Sequence, residues 1–150
     1  MKNLLLSTEK NWTGLILRLS IGLILWPHGA QKMLGLFGGF GFSATMDFLI
    51  SAVHLPWIIA FMVIIIEFIG SLCILAGFAS RLWSFAIIIL MLGIIFSTHI
   101  DNGFFMNWFG KQKGEGFEFH LLMIGLSLAL LINGSGIFSA DALLMQKRSK

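Results

Sequence analysis

Apolar stretches separated by short polar or glycine-rich breaks run the length of the chain, and four of them set its architecture. The stretches cover residues 12–34, 56–78, 82–99 and about 117–138. Each is long enough to cross a bilayer as a helix, which takes about 17–25 residues. The pattern therefore predicts an all-α protein, a four-transmembrane-helix bundle in one domain spanning 1–150. Between the first two spans, Gly35, Gly38, Gly39 and Gly41 alternate with Phe37, Phe40 and Phe42, too apolar for a water-exposed linker. That loop is expected to hold a short interfacial helix over 44–53, with Ser43 as N-cap and Met46, Leu49, Ile50 and Val53 on one face. No strand and no Lys-Ser/Thr accompany the glycines, so they are not a phosphate loop. Ala79-Ser80-Arg81 is a tight turn that makes the second and third spans antiparallel neighbours.

Composition agrees with this pattern. Of 150 residues, 57% are hydrophobic and 11% charged, with mean hydropathy +0.92; a soluble domain carries about 25% charged residues. The first apolar run is too long for a signal-peptide core and no small-x-small cleavage pattern follows it, so it is expected to stay as a membrane helix. The net charge of +3 reads as a topology signal and not as nucleic-acid binding. Lys2, Lys10, Arg18, Arg81, Lys147, Arg148 and Lys150 fall on one side, and Lys32, Lys111 and Lys113 on the other. The positive-inside rule then places both termini in the cytoplasm and the protein in the cytoplasmic (inner) membrane.

Against this apolar background the ionisable groups stand out. Glu67 lies near the middle of the second span, where a carboxylate costs about 2.5–3.5 kcal/mol unless it meets a partner or a polar cavity. His28 and Lys32 lie four residues apart, on one face of the outer part of span one. A proline beside them, Pro27, weakens the backbone ladder one turn back. His99 closes span three on the outer side, and Glu118 and His120 open span four there. About 200° separates the last two around a helix, so only one points inward. Periodicity does not choose between them; the reading taken here puts His120 in the bundle and Glu118 at its rim. All four spans thus send an ionisable group toward the outer half of one bundle. Glu67 and His28 are the candidate catalytic residues, with Lys32, His120 and His99 as candidate ligand-binding residues. On the cytoplasmic side, Arg18 and Asp141 are expected to form an ion pair tying the first helix to the last, the alternative being that Arg18 snorkels to headgroups. His54, before Pro56, reads as interfacial.

In this order and spacing, several segments resemble the DoxX family of small four-helix membrane proteins. They are Leu17-Arg18-Leu19 followed by Pro27-His28-Gly29-Ala30-Gln31-Lys32, then Glu67 with Gly70, Ala76-Gly77-Phe78 leading to Arg81, and the close Gly134-Ser135-Gly136-Ile137-Phe138-Ser139-Ala140-Asp141. The likeness runs from about Trp12 to Leu144. The family takes its name from a subunit of a thiosulfate:quinone oxidoreductase. Other relatives are linked to quinone or catechol stress and to oxidative-stress complexes with soluble partners. The resemblance implies a quinone- or redox-associated membrane protein and does not identify a substrate.

Three functions fit these residues. In the first, His28, Lys32 and His120 donate hydrogen bonds to quinone carbonyls while Glu67 relays protons. The single Cys73 excludes an internal dithiol, and there is no flavin, nicotinamide or haem-attachment motif. Electrons would then come from a soluble or membrane oxidoreductase partner or a bound cofactor. In the second, histidines and carboxylates on facing helices hold a haem or a metal. No repeated Glu-x-x-His spacing supports a di-iron centre, and no metal ligands are assigned. In the third, the protein is a non-catalytic scaffold. Gly70, Ser71 and Gly77 then allow close packing within the bundle or between copies, leaving homo-oligomerisation open.

Overall fold

A computed structural model describes residues 6–148; Lys2 and Lys150, both counted for topology, lie outside the described residues. Among these residues the chain is helical throughout, with no strand. Helix α1 spans Trp12–Leu34 and α2 spans Gly41–Ser51. Helix α3 runs Trp57–Ala76 and α4 runs Ser80–Asn102; both are long and apolar enough to cross a membrane. Helix α5 covers Glu118–Asn133, and α6 covers Ala140–Arg148.

Helix α1 packs against α2, α3 and α5, most extensively against α3, while α4 lies along α5. Its buried stripe follows the helical period: Gly14, Arg18, Ile21 and Gly22, Leu25, then Gly29. Asn11 starts the helix by accepting a hydrogen bond from the Gly14 N–H at 2.8 Å. Gly35, with φ 71°, ends it. Pro27 sits inside, and the helix continues through it. The glycines of the stripe let neighbouring backbones come close. A Cβ on Gly29 would stand 2.5 Å from the Glu67 carbonyl, and one on Gly14 would stand 2.5 Å from the Gly136 nitrogen.

Away from these contacts the helices expose large apolar side chains, among them Leu23, Ile58, Phe85, Phe96 and Ile132. Water does not tolerate an apolar surface this extensive on a monomer, whereas lipid does.

Two expectations about the second helix need correction. The second helix begins at Gly41, three residues before the expected start, and no side chain caps it; Gly41, with φ 77°, already turns the chain into it. Its buried positions are Thr45 and Met46, so the expected face of Met46, Leu49, Ile50 and Val53 is only partly right; Ile50 is exposed. The last apolar helix ends at Asn133, because Gly134 and Gly136 take φ 77° and 72° and turn the chain back.

At the end of the molecule where α3 meets α4, the expected Arg18–Asp141 ion pair is not a direct contact. Arg18 is 1% exposed and its guanidinium donates to four backbone carbonyls. Nε reaches Ser135 O at 2.7 Å, Nη1 reaches Leu75 O at 2.8 Å, and Nη2 reaches Ile137 O at 2.8 Å and Phe138 O at 3.2 Å. Asp141 accepts from the backbone N–H groups of Ala79 and Ser80 at 2.8 and 3.2 Å, and from the Ser135 hydroxyl. It thereby caps the start of α4. Both side chains hold the 134–139 turn, one through its carbonyls and the other through Ser135. Arg81 donates to the Leu131 and Ile132 carbonyls at 2.5 and 3.0 Å, at the C-terminal end of α5.

Candidate functional site

Glu67 does not sit on a regular α-helix. Residues Ile66–Gly70 form a π-turn within α3, and the Ser71 hydroxyl donates to the Glu67 carbonyl at 2.5 Å. A π-turn inserts one residue per turn and so rotates the side chains beyond it relative to α register. Gly29 of α1 packs on the backbone of this turn. The closeness brings Lys32, one turn further along α1, to Glu67: Nζ donates to Oε2 at 2.5 Å. The Glu67 side chain is 4% exposed and that of Lys32 29%. Among the described residues this is the ion pair the structure contains.

His99 lies in a second π-turn, Ile95–His99 of α4. Its Nδ1 is 2.6 Å from the Thr98 hydroxyl. Its ring stands 4.4 Å, centroid to centroid, from the ring of His120, inclined at 58°. His120 is 8% exposed, and its Nδ1 is buried with no hydrogen-bond partner. Glu118 turns outward, accepting from the Met106 N–H at 3.1 Å and the Trp108 Nε1–H at 3.3 Å. The rim position assigned to it above, and the interior one assigned to His120, are where these side chains lie.

His28, Lys32, Glu67, His99 and His120 all line one cavity of about 360 Å³. His28 is exposed on the helix surface and also lines the cavity, so it stands at the mouth, with its ring 6.4 Å from that of Phe119. The remaining wall is largely apolar, with Leu25, Val63, Met91 and Phe119 prominent. His54 is exposed, outside this cavity. The 103–116 loop folds over the same end. Its Gly103 and Phe104 carbonyls accept from the Phe117 and Glu118 N–H groups, and Glu115 both joins the lining and accepts from the Asn107 N–H at 2.7 Å. Among the described residues no three His, Cys, Asp or Glu side chains group as metal ligands.

Sequence reasoning missed three contributors. Glu115 lies in a polar loop segment without helical periodicity, and Thr98 carries no signal beyond its neighbour. Gly29 was seen only as part of a motif; its place one turn before Lys32 marks the helix face that meets Glu67. Gly29→Ala is expected to push α1 from the π-turn, lower stability by about 1–3 kcal/mol and part Lys32 from Glu67. Thermal unfolding in detergent, followed by tryptophan fluorescence, checks this; an unchanged midpoint contradicts it.

Helices with apolar outer surfaces around a cavity that gathers charged and imidazole groups define a small helical membrane protein with an internal site. The chain belongs to the DoxX family, a family of membrane proteins, whose model matches residues 13–100. His28, Lys32, Glu67 and His99 fall within that match, and His120 lies beyond it. The chain is also similar to the protein named "Putative oxidoreductase CatD" of Bacillus subtilis (strain 168), at 27% identity over 127 residues, covering 85% of this chain and 83% of that one. No solved structure matches the chain.

Proposed function

We propose that the protein binds a quinone in the cavity between its helices and serves a membrane oxidoreductase system. The observation that carries this reading is the buried His120 Nδ1, left without a partner in the wall of an apolar cavity that also holds a Lys–Glu pair. A buried polar nitrogen costs about 1–3 kcal/mol unless something satisfies it, and a ligand oxygen would do so. The cavity lies in the usual range for small-ligand sites, roughly 300–1,000 Å³, and pairs apolar walls with a few convergent polar groups.

A quinone offers two carbonyl oxygens as acceptors and becomes a quinol when it takes up two electrons and two protons. His120 and the Lys32 ammonium are donors for one oxygen, and His28 at the mouth is a donor for the other. Glu67, held by Lys32, passes protons toward the bound ring. The electrons come from a partner oxidoreductase. The family membership and the printed name of the CatD relative support the redox association.

In this reading α1, α3, α4 and α5 are the four spans, with α2 at the interface. Both termini face the cytoplasm, and the cavity lies in the outer half of the inner membrane. The positive charge at the ends of the chain supports that orientation. His120→Phe keeps an aromatic ring and removes the nitrogen. It is expected to weaken binding of decylubiquinone to the purified protein by about threefold to tenfold, the worth of one neutral hydrogen bond. Unchanged affinity, or no saturable binding by the native protein, refutes the reading.

A second reading is a non-catalytic scaffold. The observation favouring it is the Lys32–Glu67 bridge itself, which joins α1 to α3 whether or not a ligand is present.

A further inference from the structure

The cavity that holds the Lys–Glu pair and the histidines has a neighbour without charged or imidazole groups. Between α3 and α4 lies a slot of about 230 Å³. Leu55, Val63, Ile94 and Ser97 line both spaces, so the two adjoin along a shared wall. At the slot's outer edge Ile59, Met62 and Ile89 are 48%, 40% and 54% exposed, on the face that the apolar surface assigns to lipid. Gly93 lies in its wall, exposed, and a Cβ there would meet nothing within 4 Å. The π-turns Ile66–Gly70 and Ile95–His99 follow directly on slot-lining residues of the two helices, which therefore break α register beside it.

We infer that this slot holds the hydrocarbon tail of a membrane-dissolved ligand whose polar head sits among His28, Lys32, Glu67, His99 and His120. The proposal rests on the quinone reading and adds that the ligand is tailed and reaches the cavity sideways from the bilayer. The argument for a tail is the change of chemistry between two adjoining spaces, which only the side chains of their shared wall divide. The inner part sets charged and imidazole groups among its apolar side chains, whereas the outer part has none of them and is lined by aliphatic side chains, one methionine, one glycine and one serine. A purely polar ligand has no use for the second part. An acyl chain of a bulk lipid fits the slot alone and gains nothing from the head site.

Two probes separate these cases: decylubiquinone, and the same head group without its tail. Binding of each is measured on the full chain in lipid nanodiscs, for the native protein, for Gly93→Leu, and for Ile59→Trp, which fills the slot from the opposite wall. Gly125→Leu, a site equally open to a Cβ but outside the slot, controls for added bulk. The native protein is expected to prefer the decyl compound at least tenfold. Each slot variant is expected to lose most of that preference while binding the tail-less head within twofold of native, and Gly125→Leu keeps it. If the tail-less head binds and the slot variants retain the preference, the slot proposal fails and the quinone reading stands. If neither compound binds the native protein saturably, the quinone reading fails and takes the slot with it. If only the decyl compound binds, the slot stands when both slot variants lose that binding and Gly125→Leu keeps it, and fails when they retain it. If one slot variant does not fold, the other decides between these outcomes.

Discussion

Arg18→Met is expected to cost the fold a large share of its stability. Methionine roughly fills the volume of the arginine stem but donates nothing. The carbonyls of Leu75, Ser135, Ile137 and Phe138 would then lose the donors they now have. Each bond to a charged donor is worth about 1.5–3 kcal/mol. Because the bonds are not additive, a total loss of about 3–5 kcal/mol is expected. That is a large share of the 5–15 kcal/mol typical of a whole domain. The consequence reaches beyond the one residue. The 134–139 turn also presents the Ser135 hydroxyl to Asp141, which caps α4, so releasing the turn loosens α4 against α5. Arg18→Lys keeps the charge, but a compact ammonium cannot span carbonyls on both sides of a planar fork, and an intermediate loss is expected. Thermal unfolding in detergent, read from tryptophan fluorescence, distinguishes these results. A native-like midpoint for Arg18→Met would show that the carbonyl network is incidental.

That network explains what the sequence could and could not disclose. Arg18 and Asp141 were visible as a cation one to two turns into the first span and an anion just beyond the last, to be read either as a pair or as an arginine snorkelling to headgroups. The structure gives each of them backbone partners, because the glycines at 134 and 136 fold a turn between them whose carbonyls point at α1. Backbone acceptors leave no trace in a sequence. The outer cluster was more legible. His28, Lys32, Glu67, His99 and His120 are ionisable groups in apolar segments, and cost alone predicts that such groups converge. Their convergence on one cavity follows from helix period and span order. The way they converge was hidden. Both Glu67 and His99 lie on π-turns, and nothing in Ile66-Glu67-Phe68-Ile69-Gly70 or Ile95-Phe96-Ser97-Thr98-His99 distinguishes them from ordinary apolar helix. Choosing between Glu118 and His120 was likewise beyond periodicity, because it depends on the 103–116 loop, whose Met106 and Trp108 N–H groups draw Glu118 outward.

The Lys32–Glu67 pair is where the scaffold and ligand-binding readings divide, and Glu67→Gln followed by a second change separates them. Glutamine keeps the shape of glutamate and removes its charge, leaving the Lys32 ammonium partly buried without a counter-charge. Truncating one side of such a pair destabilises because the remaining charge is unpaired, and about 1–3 kcal/mol is expected here since the Lys32 side chain retains 29% exposure. Binding of decylubiquinone is expected to fall about tenfold to a hundredfold, the equivalent of one hydrogen bond from a charged donor at about 1.5–3 kcal/mol. Freed of Glu67, Lys32 turns to solvent and no longer points into the cavity. Adding Lys32→Met to Glu67→Gln removes the stranded charge and should restore most of the lost stability. What happens to binding then decides between the readings. If the pair only locks α1 to α3, the double variant regains both stability and whatever affinity the single variant lost through loosening. If Lys32 is a donor to the ligand oxygen and Glu67 its positioning partner, stability returns while affinity stays at the level of the single variant. A double variant that recovers both would reduce the pair to a helix lock.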